Sequence, residues 1–460
     1  MSPLGSYATR FTPMNHQDHT QPPAPISLSQ ASKFWFKLGL ISFGGPAGQI
    51  AILHQELVTQ RRWISEKRFL HALNYCMLLP GPEAQQLATY LGWLMHRTPG
   101  ALVAGGLFVL PSLVILIFLS WLYLTFGHTS LVAGLFAGVK PAITAIILHA
   151  AWRIGSRALK HRGLWLIAAA ALCAIVLLQV PFPLIVFSAA LIGWAGSRFA
   201  PQVFSANGGH EKAASRYGAA LIDDHTPSPP HTIFQRARFL RTLAAALLLW
   251  TSAMVGLVAW FGWQGMLSQM AWFFTKASLL TFGGAYAVLP YVFDGAVQQF
   301  AWLNAAQMLD GLALGETTPG PLIMVVAFVG FVGAWQQAIL GLPWLSGIVA
   351  ACVVTFFTFL PSFSFILLGG PWVESSRNNL RLSAPLLAIT AAVVGVMISL
   401  ALFFAQHVLW PQGFAAPLDR LALGLGCAAA AGLFLAKRST IEIITASALV
   451  GLGLRLGGWY

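Results

Sequence analysis

The sequence predicts an all-α polytopic membrane protein made of two inverted-topology repeats, each holding discontinuous, re-entrant helix hairpins at Gly-Gly and Pro-Gly-Pro breaks. Three observations carry this. The chain is 57% apolar and only 8% charged, with a mean hydropathy of +0.73, against about 25% charged residues in soluble domains. It also repeats itself: with 239 added to each number, Lys37 falls on Lys276, Ser42-Phe43-Gly44-Gly45 on Thr281-Phe282-Gly283-Gly284, Trp63 on Trp302, and Pro80-Gly81-Pro82 on Pro319-Gly320-Pro321. Further on the offset is 250, and Leu110-Pro111-Ser112 falls on Leu360-Pro361-Ser362. Such an internal repeat governs how every later element is read. Third, the basic loops of one half meet neutral loops in the other.

Taken in order, residues 1–30 are polar, with Pro and His, and read as a disordered cytoplasmic tail without the apolar core of a signal peptide. Apolar segments follow at 34–57, 69–95, 101–126, 131–152, 163–180 and 181–199, so 31–199 is the first repeat. Residues 200–238, with Asp223-Asp224 and Pro-Ser-Pro-Pro, read as a flexible cytoplasmic linker. The second repeat, 239–460, carries segments at 239–262, 272–297, 307–334, 339–370, 384–407, 417–436 and 440–459. Long continuous apolar runs require helices in lipid, and the lack of alternation excludes a barrel.

Charge sets the topology. The clusters Arg61, Arg62, Lys67, Arg68, then Arg153, Arg157, Lys160, Arg162, then Arg236, Arg238, Arg241 are all expected on the cytoplasmic side. If every segment crossed, the three between the first two clusters would place them on opposite faces. They share a face if 69–95 enters and leaves on the same side, broken at Pro-Gly-Pro. By the same reasoning 34–57, broken at Gly-Gly-Pro, is a second hairpin. Residues 298–306, equivalent to the first basic loop, hold no Lys or Arg, whereas Arg377 and Arg381 map to the neutral positions Gly127 and Leu131. The halves are therefore read as inverted, with nine spans and four hairpins, the N-terminus cytoplasmic and the C-terminus periplasmic.

Inverted repeats with discontinuous helices are an architecture of secondary transporters, with the substrate near the bilayer midplane. Each break aims a helix N-terminus inward. Four such ends of about +0.5 charge supply roughly +2, which suits a dianion. The candidate anion-binding residues are Lys37, Ser42, Gly44, Gly45, Pro80, Gly81 and Pro82, with Lys276, Thr281, Gly283, Gly284, Pro319, Gly320 and Pro321 in the second half. Alternatives stay open: the lysines could snorkel to an interface, and the Ser42 and Thr281 hydroxyls could bond their own helices. Glu83 and Glu316 are candidates for proton coupling, although Glu83 could simply cap its helix. The two are not equivalent, since Glu83 maps to Leu322 and Glu316 to Met77.

The net charge of +13 lies in short loops and is no nucleic-acid signature. Cys76, Cys173, Cys352 and Cys427 lack metal spacing and read as small buried hydrophobes. There is no phosphate-binding Gly-x-x-x-x-Gly-Lys loop and no dinucleotide or haem signature, so neither an ATP-driven pump in this chain alone nor an enzyme with a resident cofactor is expected. A homodimer is left open.

On Phe-Gly-Gly with the following Gly48-Gln49, the downstream Pro-Gly-Pro of each half, and Leu-Pro-Ser, the chain resembles the chromate ion transporter family in its two-domain form. The resemblance covers residues 31–200 and 265–458. It implies proton- or potential-driven efflux of chromate across a bacterial inner membrane, with chromate resistance as its outcome. Sulfate would be a close analogue, and each half one family domain. Ala285 in place of Pro46 and Leu322 in place of Glu83 are departures in the second half. A sulfate or other oxyanion transporter, a channel, and a membrane-embedded oxyanion reductase are the rival readings.

Overall fold

The computed structural model describes residues 22–459 except 44, 128, 200, 205–217, 225, 228, 283 and 376–382. The tail to residue 21, Gly44, Gly283, most of the glycine-containing part of the linker, and the loop with Arg377 and Arg381 thus lie outside the described residues. The first half comprises α1 (Leu28–Ile41), α2 (Gly45–His54), α3 (Glu66–Cys76), α4 (Glu83–Phe126), α5 (Ser130–Ala158), α6 (Arg162–Leu178) and α7 (Phe182–Phe199), with one further turn, α8 (Pro201–Phe204). Next comes α9 (Arg236–Phe261). The second half comprises α10 (Met266–Leu279), α11 (Ala285–Phe293), α12 (Ala305–Thr317), α13 (Val325–Gln337), α14 (Pro343–Ser375), α15 (Ser383–Leu409), α16 (Arg420–Phe434) and α17 (Thr440–Leu456). The protein is all-helical and multi-pass. Among the described residues α4, α5, α7, α9, α14 and α15 are long and apolar enough to cross a bilayer, and α6 and α16 are shorter apolar helices.

Local sequence explains the helix starts. Ser27 and Asn304 close capping boxes with Gln30 and Gln307, and Ser65, Asp419 and Ser439 accept from the first turns of α3, α16 and α17. Each satisfies backbone N–H groups that a helix start leaves without a partner.

The duplication reaches the backbone. Both halves break after their first helix, and each second helix ends in a π-turn, Gln55–Gln60 and Asp294–Gln299, again 239 apart. The next turn places Arg62 (φ 52°) and Ala301 (φ 49°) in the left-handed region. Trp63 N–H then donates to Leu57 and Trp302 N–H to Ala296, both at 2.8 Å. Trp63 is buried with Phe34 and Trp35, and Trp302 stacks on Phe274 and Phe300. The repeated tryptophan thus pins the same turn in both halves.

α4 is one helix only in name. His96 and Arg97 leave helical geometry, Arg97 with φ 58°. A methyl on Gly92 would lie 2.3 Å from the Gly100 carbonyl oxygen and 2.5 Å from Ala104 Cβ, so the chain doubles back with its arms in backbone contact. This is where the sequence divides 69–95 from 101–126. In the second half the same reversal separates α13 from α14, which pack together along Gly330 and Gly347.

Each half lends its last helices to the other. α5 packs on α16 and α17, and α15 packs on α6 and α7. Small residues permit the approach: a methyl on Gly138 would lie 1.9 Å from Ser447 O, and one on Gly395 would lie 2.0 Å from Ala168 O. Most of α10–α13 is buried in the main core with α15. α9 is the least buried of the long apolar helices, 6% of its most apolar window, and lies at the periphery against α10 and α14.

Parts of the segment read as a linker pack on the first half. Ile222 pairs with Ile64, Ser65 donates to Asp224 at 2.6 Å, Arg68 donates to the Thr226 carbonyl at 2.6 Å, and His231 contacts the Trp93 carbonyl at 2.9 Å. The cysteines call for a correction. All four are free, but only Cys76 is buried, and Cys173, Cys352 and Cys427 lie on outer helix faces. In a bilayer that face is as apolar as the interior, so hydropathy cannot separate the two.

Candidate functional site

The four breaks meet, and they meet across the halves. Gly81 N–H of the first Pro-Gly-Pro donates to Thr281 O at the second Phe-Gly-Gly break (2.7 Å), and Gly320 N–H of the second Pro-Gly-Pro donates to Ser42 O at the first (2.8 Å). Each bond is the image of the other at offset 239. Gly81 (φ 130°) and Gly320 (φ 104°) hold a conformation open to glycine alone. The third motif follows the same exchange. A methyl on Gly81 would lie 2.3 Å from Ser362 Oγ, and one on Gly320 would lie 2.7 Å from Ser112 Cβ. Ser42, Thr281, Ser112 and Ser362 are fully buried.

The breaks also gather charge. A methyl on Gly284 would lie 3.8 Å from Pro46 Cγ and 3.9 Å from Glu83 Oε1, and one on Gly45 would lie 3.7 Å from the Tyr286 hydroxyl. That hydroxyl donates to Glu316 at 2.5 Å in a buried pair. Two carboxyl groups from non-equivalent positions therefore reach the two equivalent breaks, Glu83 directly and Glu316 through Tyr286. Arg153 of α5 acts electrostatically on both Tyr286 and Glu316. Gln49, fully buried, donates to the Gly320 carbonyl and ties the first α2 to the second Pro-Gly-Pro. On one side of this cluster Lys140 (α5) lies 3.5 Å from Asp310 (α12), which accepts at 2.9 Å from the Tyr123 hydroxyl (α4). The equivalent of Asp310 is His71.

The sequence-derived candidates divide. Ser42, Gly45, Pro80, Gly81, Pro82, Thr281, Gly284, Pro319, Gly320 and Pro321 are in or beside the meeting breaks, with Glu83 and Glu316. The N–H groups of Gly81 and Gly320 are spent on the cross-half bonds, and the Ser42 and Thr281 hydroxyls donate to Leu38 O and Ala277 O of their own helices. Lys37 is exposed on α1, and Lys276 is half-buried with its ammonium 5.8 Å from the centre of the Trp272 ring. The structure does not bring either lysine to the breaks. Tyr286, Arg153, Ser112 and Ser362 are additions. Leu-Pro-Ser was visible as a repeated motif, and Arg153 as the first charge after an apolar run, but Tyr286 has no repeat signal because its equivalent is Ala47.

A sequence model of chromate transporters matches residues 29–194 and 268–452. The chain belongs to the chromate transporter family. The two matched stretches of this family member contain all four breaks, and α9 falls between them. The chromate transport protein of Pseudomonas aeruginosa is 34% identical over 438 residues, 93% of each chain. That of Cupriavidus metallidurans is 28% identical over 390 residues, 85% of each. A probable chromate transport protein of Synechococcus elongatus is 28% identical over 371 residues, 81% of this chain and 83% of its own. No solved structure matches. Family membership and the apolar helices together make this a multi-pass membrane transport protein.

Proposed function

We propose that the protein is a secondary active transporter that exports chromate, a tetrahedral dianion, across the bacterial inner membrane and so confers chromate resistance. The observation that carries the reading is the reciprocal pair of bonds, Gly81 to Thr281 and Gly320 to Ser42, in a chain whose relatives are named chromate transport proteins. Contacts that exchange in this way require the halves to be related by a two-fold axis. The opposed loop charges favour an axis in the membrane plane and so support reading the repeats as inverted.

Parity supports the inversion. With α1–α2 and α3 plus the first arm of α4 re-entering, the second arm of α4, α5, α6 and α7 return the chain to the cytoplasmic side. α9 then carries it across, and α10 starts the second repeat on the periplasmic side. The exposed, unmatched α9 is the crossing that inverts the second repeat. The basic loop Lys437-Arg438 between α16 and α17 falls on the cytoplasmic side in this scheme. The N-terminus is then cytoplasmic and the C-terminus periplasmic, with 31–199 and 239–460 as the repeats and 200–238 as their connection.

In this reading the anion sits where the breaks meet, faced by the starts of α2, α4, α11 and the Leu322–Met324 turn leading into α13, because a helix start leaves its first N–H groups without an intrahelical acceptor. Glu83 and Glu316 carry the coupling proton: neutral they admit the anion, ionised they repel it. The test is chromate accumulation by everted vesicles under an imposed proton gradient. Accumulation against the chromate gradient supports the reading. Equilibration alone makes the protein a channel, and retention of reduced chromium in resistant cells makes it a reductase.

A further inference from the structure

We propose that Ser112 and Ser362 donate their hydroxyl hydrogens to a tetrahedral oxyanion held at the crossing of the Pro-Gly-Pro loops, an assignment that rests on the oxyanion reading above. The two residues are equivalent at offset 250, belong to the Leu-Pro-Ser motif of each half, and are 0% exposed. Each stands against the loop glycine of the opposite half, Ser362 at Gly81 and Ser112 at Gly320.

A hydroxyl in an apolar helix is ordinarily satisfied by the carbonyl four residues back. Ser42, Ser120, Thr275, Thr281, Thr358 and Ser364 all do this here. Ser112 Oγ and Ser362 Oγ do not, and neither has another partner. Thr144, Ser268, Ser278 and Thr355 are also unpartnered. None of them is matched by a second buried hydroxyl: their equivalents are Val394, the exposed Ser29, Gly39 and Gly105. Among the described residues, the Leu-Pro-Ser pair alone keeps an unspent hydroxyl donor in both halves at the same place.

Buried polar atoms in native structures have partners, and an unpaired one asks for a ligand or a reason. Size alone is not the reason, because alanine would give the loop glycines the same room without burying an oxygen. Neutral donors suit a carried dianion, since they satisfy its oxygens without the fixed charge that would make release slow. With one serine from each half, each seated against the glycine of the opposite Pro-Gly-Pro loop, both donors keep their places only while the two loops are together. Beside them Gln86 donates to Pro80 O at 2.7 Å and braces the first loop.

The test is equilibrium dialysis of chromate, and separately of sulfate, with the purified full-length protein, its Ser112→Ala and Ser362→Ala variants and the double variant. Thermal unfolding of the ligand-free protein is measured in parallel. Each single variant is expected to weaken oxyanion binding about tenfold and the double variant by more, as for the loss of a hydrogen bond to a charged group. The ligand-free unfolding temperature should be unchanged or raised. Ser112→Gly and Ser362→Gly must weaken binding as the alanine variants do. Affinity within twofold of wild type in the double variant overturns the assignment, as does a loss of ligand-free stability in place of a loss of affinity. Wild-type protein that binds an oxyanion but accumulates none in everted vesicles removes the transport reading and leaves the serines standing. Wild-type protein that binds neither anion removes both.

Discussion

The first and second repeats share a backbone and differ in chemistry. Breaks, π-turns, the pinned tryptophans and the glycines of positive φ recur at offset 239. The carboxyl groups and the phenol near those breaks do not: Glu83 faces Leu322 in the alignment of the halves, Tyr286 faces Ala47, Glu316 faces Met77 and Asp310 faces His71, although the hydroxyls of Ser42 and Thr281 and of Ser112 and Ser362 do recur. Burial diverges as well, since α11 is wholly buried while its counterpart α2 exposes Ala51. Contacts made by main chain across the halves constrain both copies together, because each break is a partner of the other copy. Side chains at the breaks carry no such mutual constraint, and one carboxyl per break is reached by two different routes.

The largest expected effect tests the shared part. Gly81→Ala and Gly320→Ala each force an L residue into positive φ and drive a methyl into the opposite Leu-Pro-Ser serine. Backbone strain of about 1–3 kcal/mol and crowding of similar size should cut transport at least tenfold in both, measured as chromate uptake by everted vesicles at matched protein levels. Tolerance at one glycine alone would break the equivalence of the loops. Next comes the divergent part. Tyr286→Phe leaves the buried Glu316 without its hydroxyl donor, a loss of about 1–3 kcal/mol that should appear as a drop of several degrees in the melting temperature of purified protein. Glu83→Gln, with no such partner to lose, should spare stability and flatten the pH dependence of transport; an unchanged pH profile would remove Glu83 from coupling.

Smaller effects sharpen the contrast between the two sides of the site. Lys140→Met strands a nearly buried Asp310, but Lys140 is itself 31% exposed and solvent-screened. A loss of about 1 kcal/mol is expected on unfolding. Smallest of all are the lysines: Lys276→Ala should slow uptake by less than about threefold through its contact with Trp272, a cation–π pair worth about 0.5–1 kcal/mol, and Lys37→Ala by less still. A tenfold loss in either would return the lysines to the anion site.

Much of this was legible because repetition is a signal that needs no structure. The breaks at Gly-Gly and Pro-Gly-Pro stood out as matched pairs, and the doubling of α4 at His96 and Arg97 falls where the apolar segments 69–95 and 101–126 divide. Contacts between halves were not legible: nothing in Leu-Pro-Ser says that Ser112 meets Gly320 and Ser362 meets Gly81. Tyr286 was hidden because it breaks the repeat. Polar composition marked 200–238 as a connection, yet Ile222 finds an apolar seat beside Ile64, a pairing that depends on where the chain returns. Lys37 and Lys276 show the opposite limit, since matched spacing fixes a position along a helix and not the face it occupies.

The inversion of the repeats is tested most directly by labelling two equivalent, exposed positions, Gln60 and Gln299, as Gln60→Cys and Gln299→Cys in a variant without native cysteines. A membrane-impermeant maleimide applied to intact cells should label Gln299→Cys and should reach Gln60→Cys only after permeabilisation. Labelling of both from the same side would contradict the inverted arrangement and the meeting of helix ends it creates.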